Sequence, residues 1–105
     1  MKTSVNILEQ IKQIVIGKEP TAKIYLYGSR VRGTSRKDSD WDLLILVNKE
    51  KVSYEFEKNL TDSLYDLEFD SGEVISPMIY SEQEWNTKYS VTPFYHFVMK
   101  EAKPL

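Results

Sequence analysis

The chain has 105 residues, of which 41% are hydrophobic and 29% are charged, and its formal net charge is −2 at pH 7. A chain of this length and composition is expected to form one globular domain over residues 1–105. The acidic net charge argues against a general attraction to DNA or to an anionic membrane surface. Because the sequence contains no cysteine, disulfides and thiolate metal sites are excluded, and a reducing cytoplasm is the expected location.

The hydropathy pattern shows no sign of a membrane or export segment. Residues 1–12 mix polar and apolar side chains and lack the apolar core of a signal peptide. The longest apolar run, residues 43–47, is far shorter than the ~20 residues that span a bilayer. We therefore expect a chain that does not associate with membranes.

The spacing of apolar residues predicts secondary structure along the whole chain. In chain order the predicted elements are a helix over 4–16, strands over 22–27 and 40–47, a helix over 51–69, a strand over 73–80, a short helix capped by Ser81 and a last helix opened by Pro93. Helices and strands mixed in this order indicate the α/β (α+β) class, with a small sheet covered by helices. The pattern does not determine the order of the strands in the sheet.

Some single residues lead to expectations about packing. Pro77 lacks an amide donor, so the strand over 73–80 is expected to lie at a sheet edge or to contain a bulge. Trp41 and Trp85 are expected in the core rather than as platforms on which bases stack. His96 stands among aromatic residues and is expected to be a partly buried packing residue, since no second histidine is present to share a metal.

Two aspartates stand at the start of the second predicted strand. Residues two apart in a strand point to the same face, so Asp40 and Asp42 are expected side by side, opposite Trp41 and Leu43. Two carboxylates held this close repel each other, and burial increases the cost. A divalent cation removes that repulsion, and Mg²⁺ is commonly held by one or two carboxylates together with substrate phosphates. The alternative is that the two aspartates are solvated acids at an ordinary strand end.

A glycine–serine turn precedes the aspartates and follows the first predicted strand. Gly28 lets the backbone come close to a ligand, and Ser29 offers a hydroxyl and an amide. If residues 29–33 start a short helix, their free amides point toward an anion. Arg30 follows the serine directly and is the cation most expected to contact phosphate. The remaining cations of this stretch are Arg32, Arg36 and Lys37.

The motif as a whole resembles the signature of the DNA polymerase β-like nucleotidyltransferases: Gly28-Ser29, ten further residues, and then Asp40-Trp41-Asp42. The similarity extends over LYGSRVRGTSRKDSDWDLLIL, YDLEFDSGEVISPMIYSEQEW and TPFYHFVMKEA. The small size is similar to that of the minimal nucleotidyltransferases of prokaryotes. The resemblance implies the polymerase β-like nucleotidyltransferase fold, a small mixed sheet flanked by helices.

The resemblance also implies an activity and a partner. Gly28, Ser29 and Arg30 would bind a nucleoside triphosphate, and Asp40 and Asp42 would be catalytic and hold Mg²⁺, with two ions in the active form. The reaction would move AMP from ATP to a hydroxyl acceptor. Such minimal proteins commonly act as antitoxins of HEPN-type ribonuclease toxins, so a HEPN-type partner protein is expected.

One part of the family pattern is missing. Active members generally have a third carboxylate on a neighbouring strand, and the corresponding position here is Ser76. Glu73, at the start of that strand, and Asp70, in the turn before it, are the substitutes to consider. A binding module with the same fold but without turnover is therefore the alternative function, whereas the acidic charge counts against a DNA repair module. An exposed apolar edge would support a homo-oligomer. The sequence does not determine the base of the nucleotide or the identity of the acceptor.

Overall fold

The computed structural model describes residues 4–105, with side chains from Ile7 onward. In this part of the chain the elements are α1 (Ser4–Lys18), β1 (Lys23–Tyr27), α2 (Ser29–Arg32), β2 (Trp41–Val47), α3 (Tyr54–Ser71), β3 (Ile75–Ser81), α4 (Glu82–Asn86), α5 (Pro93–Glu101) and β4 (Lys103–Pro104). Every predicted element is present, and α2 is the short helix expected after the glycine–serine turn. The strand β4 has no counterpart in the prediction. Within the described residues, no helix is long and apolar enough to cross a membrane.

The strands of the described chain form one mixed sheet in the order β3-β2-β1-β4. β1 runs antiparallel to both β2 and β4, whereas β2 and β3 are parallel and are connected through α3. β3 lies at an edge of the sheet, which confirms the position that Pro77 indicates, because a residue without an amide donor is tolerated there. The predicted fold class, a small mixed sheet flanked by helices, is confirmed.

β2 is buried along its length, and its alternating side chains belong to two cores. On one face, Leu43, Ile45 and Val47 pack with α1 and α3. On the other face, Leu44 and Leu46 pack with α4 and α5. A strand covered on both faces is apolar at every position, which explains the unbroken run in the sequence. The rigid centre of the sheet therefore lies directly after the aspartate pair.

Trp85 lies at the centre of the second core and is fully buried. Its indole ring contacts the rings of Tyr80, Tyr89, Phe94 and Tyr95. Trp41 is also buried, on the opposite face of the sheet. The expectation that both tryptophans are core residues is confirmed.

The expectation for His96 is wrong, because its side chain is exposed on α5. The buried side of this short helix is formed by Tyr95 and Val98, which pack into the second core. Residues three apart share a helix face, so His96 points away from that core. Its ring lies edge-on to that of Tyr95, with ring centres 5.4 Å apart.

Side-chain caps begin α3 and α4. Ser53 accepts a hydrogen bond from an amide of the first turn of α3, so this helix begins at Tyr54, slightly later than predicted. Ser81 accepts a hydrogen bond from an amide of α4 and donates one to the carbonyl of Lys49. These bonds join the end of β3 to the loop after β2 and hold the parallel strands in register.

Candidate functional site

The glycine–serine turn and the aspartate pair lie together where β1 ends and β2 begins. In the antiparallel pairing, Tyr27 lies opposite Asp42, so Gly28 follows beside that aspartate. In the parallel pairing, Asp42 lies opposite Ser76 of β3. The hydroxyl of Ser76 donates a hydrogen bond of 2.9 Å to Oδ2 of Asp40. The two parts of the predicted motif therefore meet at one place on the sheet.

Gly28 allows the turn to lie directly against Asp42. Its φ of +83° is in a region that residues with a side chain rarely adopt. A Cβ atom at this position would lie 2.3 Å from Oδ2 of Asp42, far closer than van der Waals contact permits. Glycine is therefore required here for two independent reasons, its backbone conformation and the approach of the carboxylate.

Ser29 is the first residue of α2, which is a single helical turn. The carbonyl of Gly28 accepts hydrogen bonds from the amides of Val31 and Arg32, and these bonds shape the turn behind the serine. Amides at the start of a helix have no acceptor within it and are left for another partner. Ser29 therefore presents an amide and a hydroxyl one residue away from the contact between Gly28 and Asp42.

The pKa of Asp42 is raised above its usual value. The first cause is removal of the carboxyl from solvent, and the second is the negative charge of Asp40. Glu101 adds to the effect, and Arg32 opposes it. Burial also raises the pKa of Tyr27 to about 12, with a contribution from the charge of Asp42. The described surroundings of Asp42 thus disfavour its ionised form.

This arrangement fits a hard divalent cation. Asp40 and Asp42 offer carboxylate oxygens, and a cation between them would remove the repulsion that raises the pKa of Asp42. Among residues 4–105, no group of three or more histidine, cysteine, aspartate or glutamate side chains is placed to hold a metal. The protein would therefore supply two carboxylates, and phosphate oxygens and water would complete the coordination, as is common for Mg²⁺.

Arg30 has internal partners in this structure. Its Nη2 atom donates a hydrogen bond of 2.7 Å to the carbonyl of Ser39. The guanidinium lies 4.0 Å from the centre of the Trp41 ring, and Nη2 is 3.9 Å from Oε2 of Glu73. Arg30 therefore holds the loop that leads to the aspartate pair, and its contact with phosphate remains a prediction.

Neither Glu73 nor Asp70, the two substitutes that the sequence suggests, supplies a third carboxylate beside the aspartate pair. The pairing of β2 with β3 confirms that Ser76 occupies the position beside the pair. Glu73 accepts a hydrogen bond from Nε1 of Trp41 and so is engaged elsewhere. Asp70 is exposed, and its expected place in the turn is wrong, because it lies in the last turn of α3. The helix continues past Asp70 to its stop at residue 72.

Glu101, the last residue of α5, reaches the turn and was missed by the sequence reading. Its carboxylate accepts a hydrogen bond of 2.5 Å from the amide of Gly28 and one of 3.0 Å from Nη1 of Arg32. Nothing in the sequence indicates this contact, because Glu101 is 73 positions from Gly28 and α5 must pack on the sheet before they meet. The loop cations Arg36 and Lys37 are exposed.

A mixed sheet with a glycine–serine turn packed against an aspartate pair defines a nucleotidyltransferase-like protein. A family model described as "Polymerase beta, Nucleotidyltransferase" matches residues 9–92, which is most of the chain. The chain belongs to this family. The match confirms the resemblance first drawn from the stretch between Gly28 and Asp42.

One similar solved structure is described as "Crystal structure of the toxin-antitoxin with AMP-PNP". The two chains share 18% sequence identity with a TM-score of 0.65, and the match covers 91% of this chain and 69% of that chain. At this identity the likeness shows a shared fold. No curated protein matches the sequence.

Proposed function

We propose that the chain is a minimal nucleotidyltransferase that transfers AMP from ATP to a hydroxyl acceptor in a Mg²⁺-dependent reaction. In this proposal it acts in the cytoplasm as the antitoxin partner of a HEPN-type ribonuclease toxin. The observation that carries the catalytic part is the contact of the turn at Gly28 with the carboxylate of Asp42. This contact brings the glycine–serine turn next to the aspartate pair, which supports a phosphate-binding role for the turn and a metal-binding role for the pair. Membership of the nucleotidyltransferase family supports the same roles.

Each site residue has a role in this proposal. The turn at Gly28 and Ser29 binds the β- and γ-phosphates, with the amide and hydroxyl of Ser29 as donors, and Arg30 joins them by its position after the serine. Asp40 and Asp42 hold Mg²⁺, with two ions in the active form. When bound, Mg²⁺ neutralises phosphate charge and favours ionisation of the attacking hydroxyl. The AMP-PNP named with the similar structure supports ATP as the nucleotide.

The transfer itself exchanges one phosphorus–oxygen bond for another. The acceptor oxygen attacks the α-phosphorus, the bond from that phosphorus to the bridging oxygen breaks, and pyrophosphate leaves. The acceptor hydroxyl must also lose its proton, and a third carboxylate would be a suitable base for it. Ser76 stands at that position here, and its hydroxyl donates a hydrogen bond to Oδ2 of Asp40. This observation favours a second candidate function, a nucleotide- and partner-binding module with little or no turnover.

The surface of α3 supports a protein partner. Tyr54, Tyr65 and Phe69 lie along one side of the helix and are 78%, 64% and 90% exposed. Aromatic residues exposed to this degree are typical of protein interfaces. The same helix has six acidic residues and one lysine, so its surface complements a basic partner, and a protein that cleaves RNA needs a basic surface for its substrate.

Calorimetric titration with ATP and with GTP, each with and without Mg²⁺, tests the nucleotide part. We expect binding that requires Mg²⁺ and is lost in Asp40→Asn/Asp42→Asn. A matched control is Asp66→Asn/Asp70→Asn, which makes the same change in charge at two exposed positions of α3. Absence of binding to the wild-type protein at millimolar nucleotide would contradict the proposal.

The Asp40→Asn/Asp42→Asn variant also separates the two candidate functions. If the chain is an enzyme, Asp40→Asn/Asp42→Asn should abolish both nucleotide transfer and neutralisation of the partner toxin. If it is a binding module, neutralisation should persist in that variant. Transfer of radiolabelled AMP to the product of the neighbouring gene, measured beside a growth assay of neutralisation, distinguishes these outcomes.

A further inference from the structure

Glu101 connects α5 to the turn that follows β1. Its side chain is 16% exposed, and one carboxylate oxygen accepts the amide proton of Gly28. Both carboxylate oxygens also accept from Nη1 of Arg32, at 3.0 and 3.1 Å. One carboxylate thus binds the backbone at the start of the turn and a side chain at the end of α2.

The C-terminal strand brings Glu101 to this position. Lys103 of β4 lies opposite Leu26 of β1, so the chain directly after Glu101 runs beside the end of β1. The amide of Ala102 donates to the carbonyl of Val98 and ends α5 at the right place. Glu101 also lies outside residues 9–92, the part of the chain that the family model matches.

We propose that Glu101 is a positioning residue that keeps the turn at Gly28 and Ser29 in the conformation that receives the phosphates. The proposal rests on the proposed function, because the turn is held for the binding of Mg–ATP. Glycine moves among many backbone conformations at little cost, so a turn built on Gly28 needs an external contact to remain in one of them. A hydrogen bond from its amide to a carboxylate is a strong contact of this kind.

The charge of Glu101 and its hydrogen bond have opposite effects on nucleotide binding. A carboxylate near the aspartate pair repels an incoming triphosphate, and Arg32 offsets only part of this repulsion. Substitutions separate the two effects. Glu101→Gln keeps an acceptor and removes the charge, whereas Glu101→Asp keeps the charge on a side chain too short to reach both partners. Glu101→Ala removes both.

Hydrogen exchange of the Gly28 amide, measured by NMR without nucleotide, tests the contact itself. We expect exchange to be about tenfold faster in Glu101→Asp and Glu101→Ala than in wild type, equivalent to the loss of one hydrogen bond to a charged group. The amide should stay protected in Glu101→Gln. The control Glu82→Ala breaks a 2.6 Å ion pair with Lys23, at the opposite end of β1, and should leave Gly28 unaffected.

Titration with Mg–ATP tests what the contact does. The dissociation constant should rise about tenfold in Glu101→Asp and Glu101→Ala, and stay within about threefold of wild type in Glu101→Gln. It should be unchanged in Glu82→Ala. Thermal unfolding checks that each variant is folded. If Glu101→Ala does not fold, Glu101→Asp alone provides the comparison with wild type.

Two results would overturn the proposal. The first is equal exchange of the Gly28 amide in wild type and in Glu101→Asp. The second is faster exchange combined with unchanged affinity for Mg–ATP. Failure of the proposed function gives a different result: wild type itself would bind no Mg–ATP, although its Gly28 amide is protected by Glu101. That result overturns the phosphate-binding role of the turn, and with it the positioning role of Glu101.

Discussion

At the scale of single residues, the site depends on the close approach of Gly28 to Asp42. The carboxylate occupies the space that a side chain at position 28 would need. The turn and the aspartate pair therefore constrain each other before any ligand is present. Changes at either position are expected to affect both the stability of the chain and its binding of nucleotide.

Gly28→Ala should abolish Mg–ATP binding and destabilise the fold, since the new Cβ would lie 2.3 Å from Oδ2 of Asp42 at a φ of +83°. The backbone at Gly28, with φ +83° and ψ −156°, lies in a region essentially restricted to glycine, which costs other residues about 1–3 kcal/mol. Gly33→Ala is the control for a positive φ without a close contact, because Gly33 is left-handed (φ +78°, ψ 16°) and no atom lies within 4 Å of its added Cβ. Urea unfolding should show a larger loss in free energy of unfolding for Gly28→Ala, and equal losses would mean that the carboxylate contact is unimportant.

Asp42→Asn should stabilise the protein at pH 7 when neither metal nor nucleotide is bound. Burial and the charge of Asp40 raise the pKa of Asp42 from its ordinary 3.8. A carboxyl with a raised pKa favours folding while it is protonated, and this contribution is lost as the pH rises through the folded-state value. The advantage of asparagine should therefore be present at neutral pH and shrink at low pH.

Urea unfolding of Asp42→Asn and wild type, at pH 7 and in acid, checks this dependence. The control is Asp66→Asn, an exposed position on α3 where no change is expected. A wild-type protein more stable than Asp42→Asn at pH 7 without metal would show that the described surroundings already stabilise the ionised aspartate.

Ser76→Asp should add a third carboxylate to the pair. Ser76 lies opposite Asp42, and its hydroxyl is 2.9 Å from Oδ2 of Asp40. We expect Mn²⁺, used as a probe for Mg²⁺, to bind on the order of tenfold more tightly without nucleotide, about 1.4 kcal/mol. The metal-free variant should be less stable because of charge repulsion. Ser76→Asn, similar in size but uncharged, is the control for calorimetry, and equal affinities in the two variants would place Ser76 outside the metal site.

At the scale of elements, periodicity predicts a helix or strand whose own residues carry the apolar pattern. It misses an element that forms only through contact with another part of the chain. The apolar run of residues 43–47 is enough to indicate a strand buried on both faces. β4 has two residues, one of them a proline, and exists only because its backbone pairs with β1. The start of α3 likewise depends on the Ser53 cap rather than on where its apolar stripe begins.

Tyr65→Ala/Phe69→Ala should weaken binding to the partner toxin, because both side chains are exposed on the acidic surface of α3. Nucleotide affinity should not change, since α3 packs on the face of the sheet opposite Leu44 and the second core. Phe97→Ala is the control, as Phe97 is an exposed aromatic residue of α5. Calorimetric titration with the purified product of the neighbouring gene measures the effect. Unchanged affinity in the α3 variant, or an equal loss in Phe97→Ala, would argue against α3 as the interface.

At the scale of the whole molecule, the sequence predicts the part of the site that lies where β1 ends and β2 begins. Gly28 and Asp42 are close in the chain, and strand alternation together with the antiparallel pairing brings them together. The parallel pairing that places Ser76 depends on the strand order, which periodicity does not determine, so its position is predicted only through the family resemblance. The contacts of Arg30 and Glu101 depend on the packing of whole elements, so spacing could not have indicated them.

The contacts of Glu101 also have a consequence for the order in which the site forms during folding. The hairpin of β1 and β2 joins residues close in the chain, Ser76 joins it only across α3, and Glu101 is 73 positions from Gly28. Closing a longer loop costs more conformational entropy, so we expect the hairpin to form first and α5 with β4 to dock last. A nascent chain would then contain its aspartate pair early, and its glycine–serine turn would become fully ordered only when α5 and β4 dock.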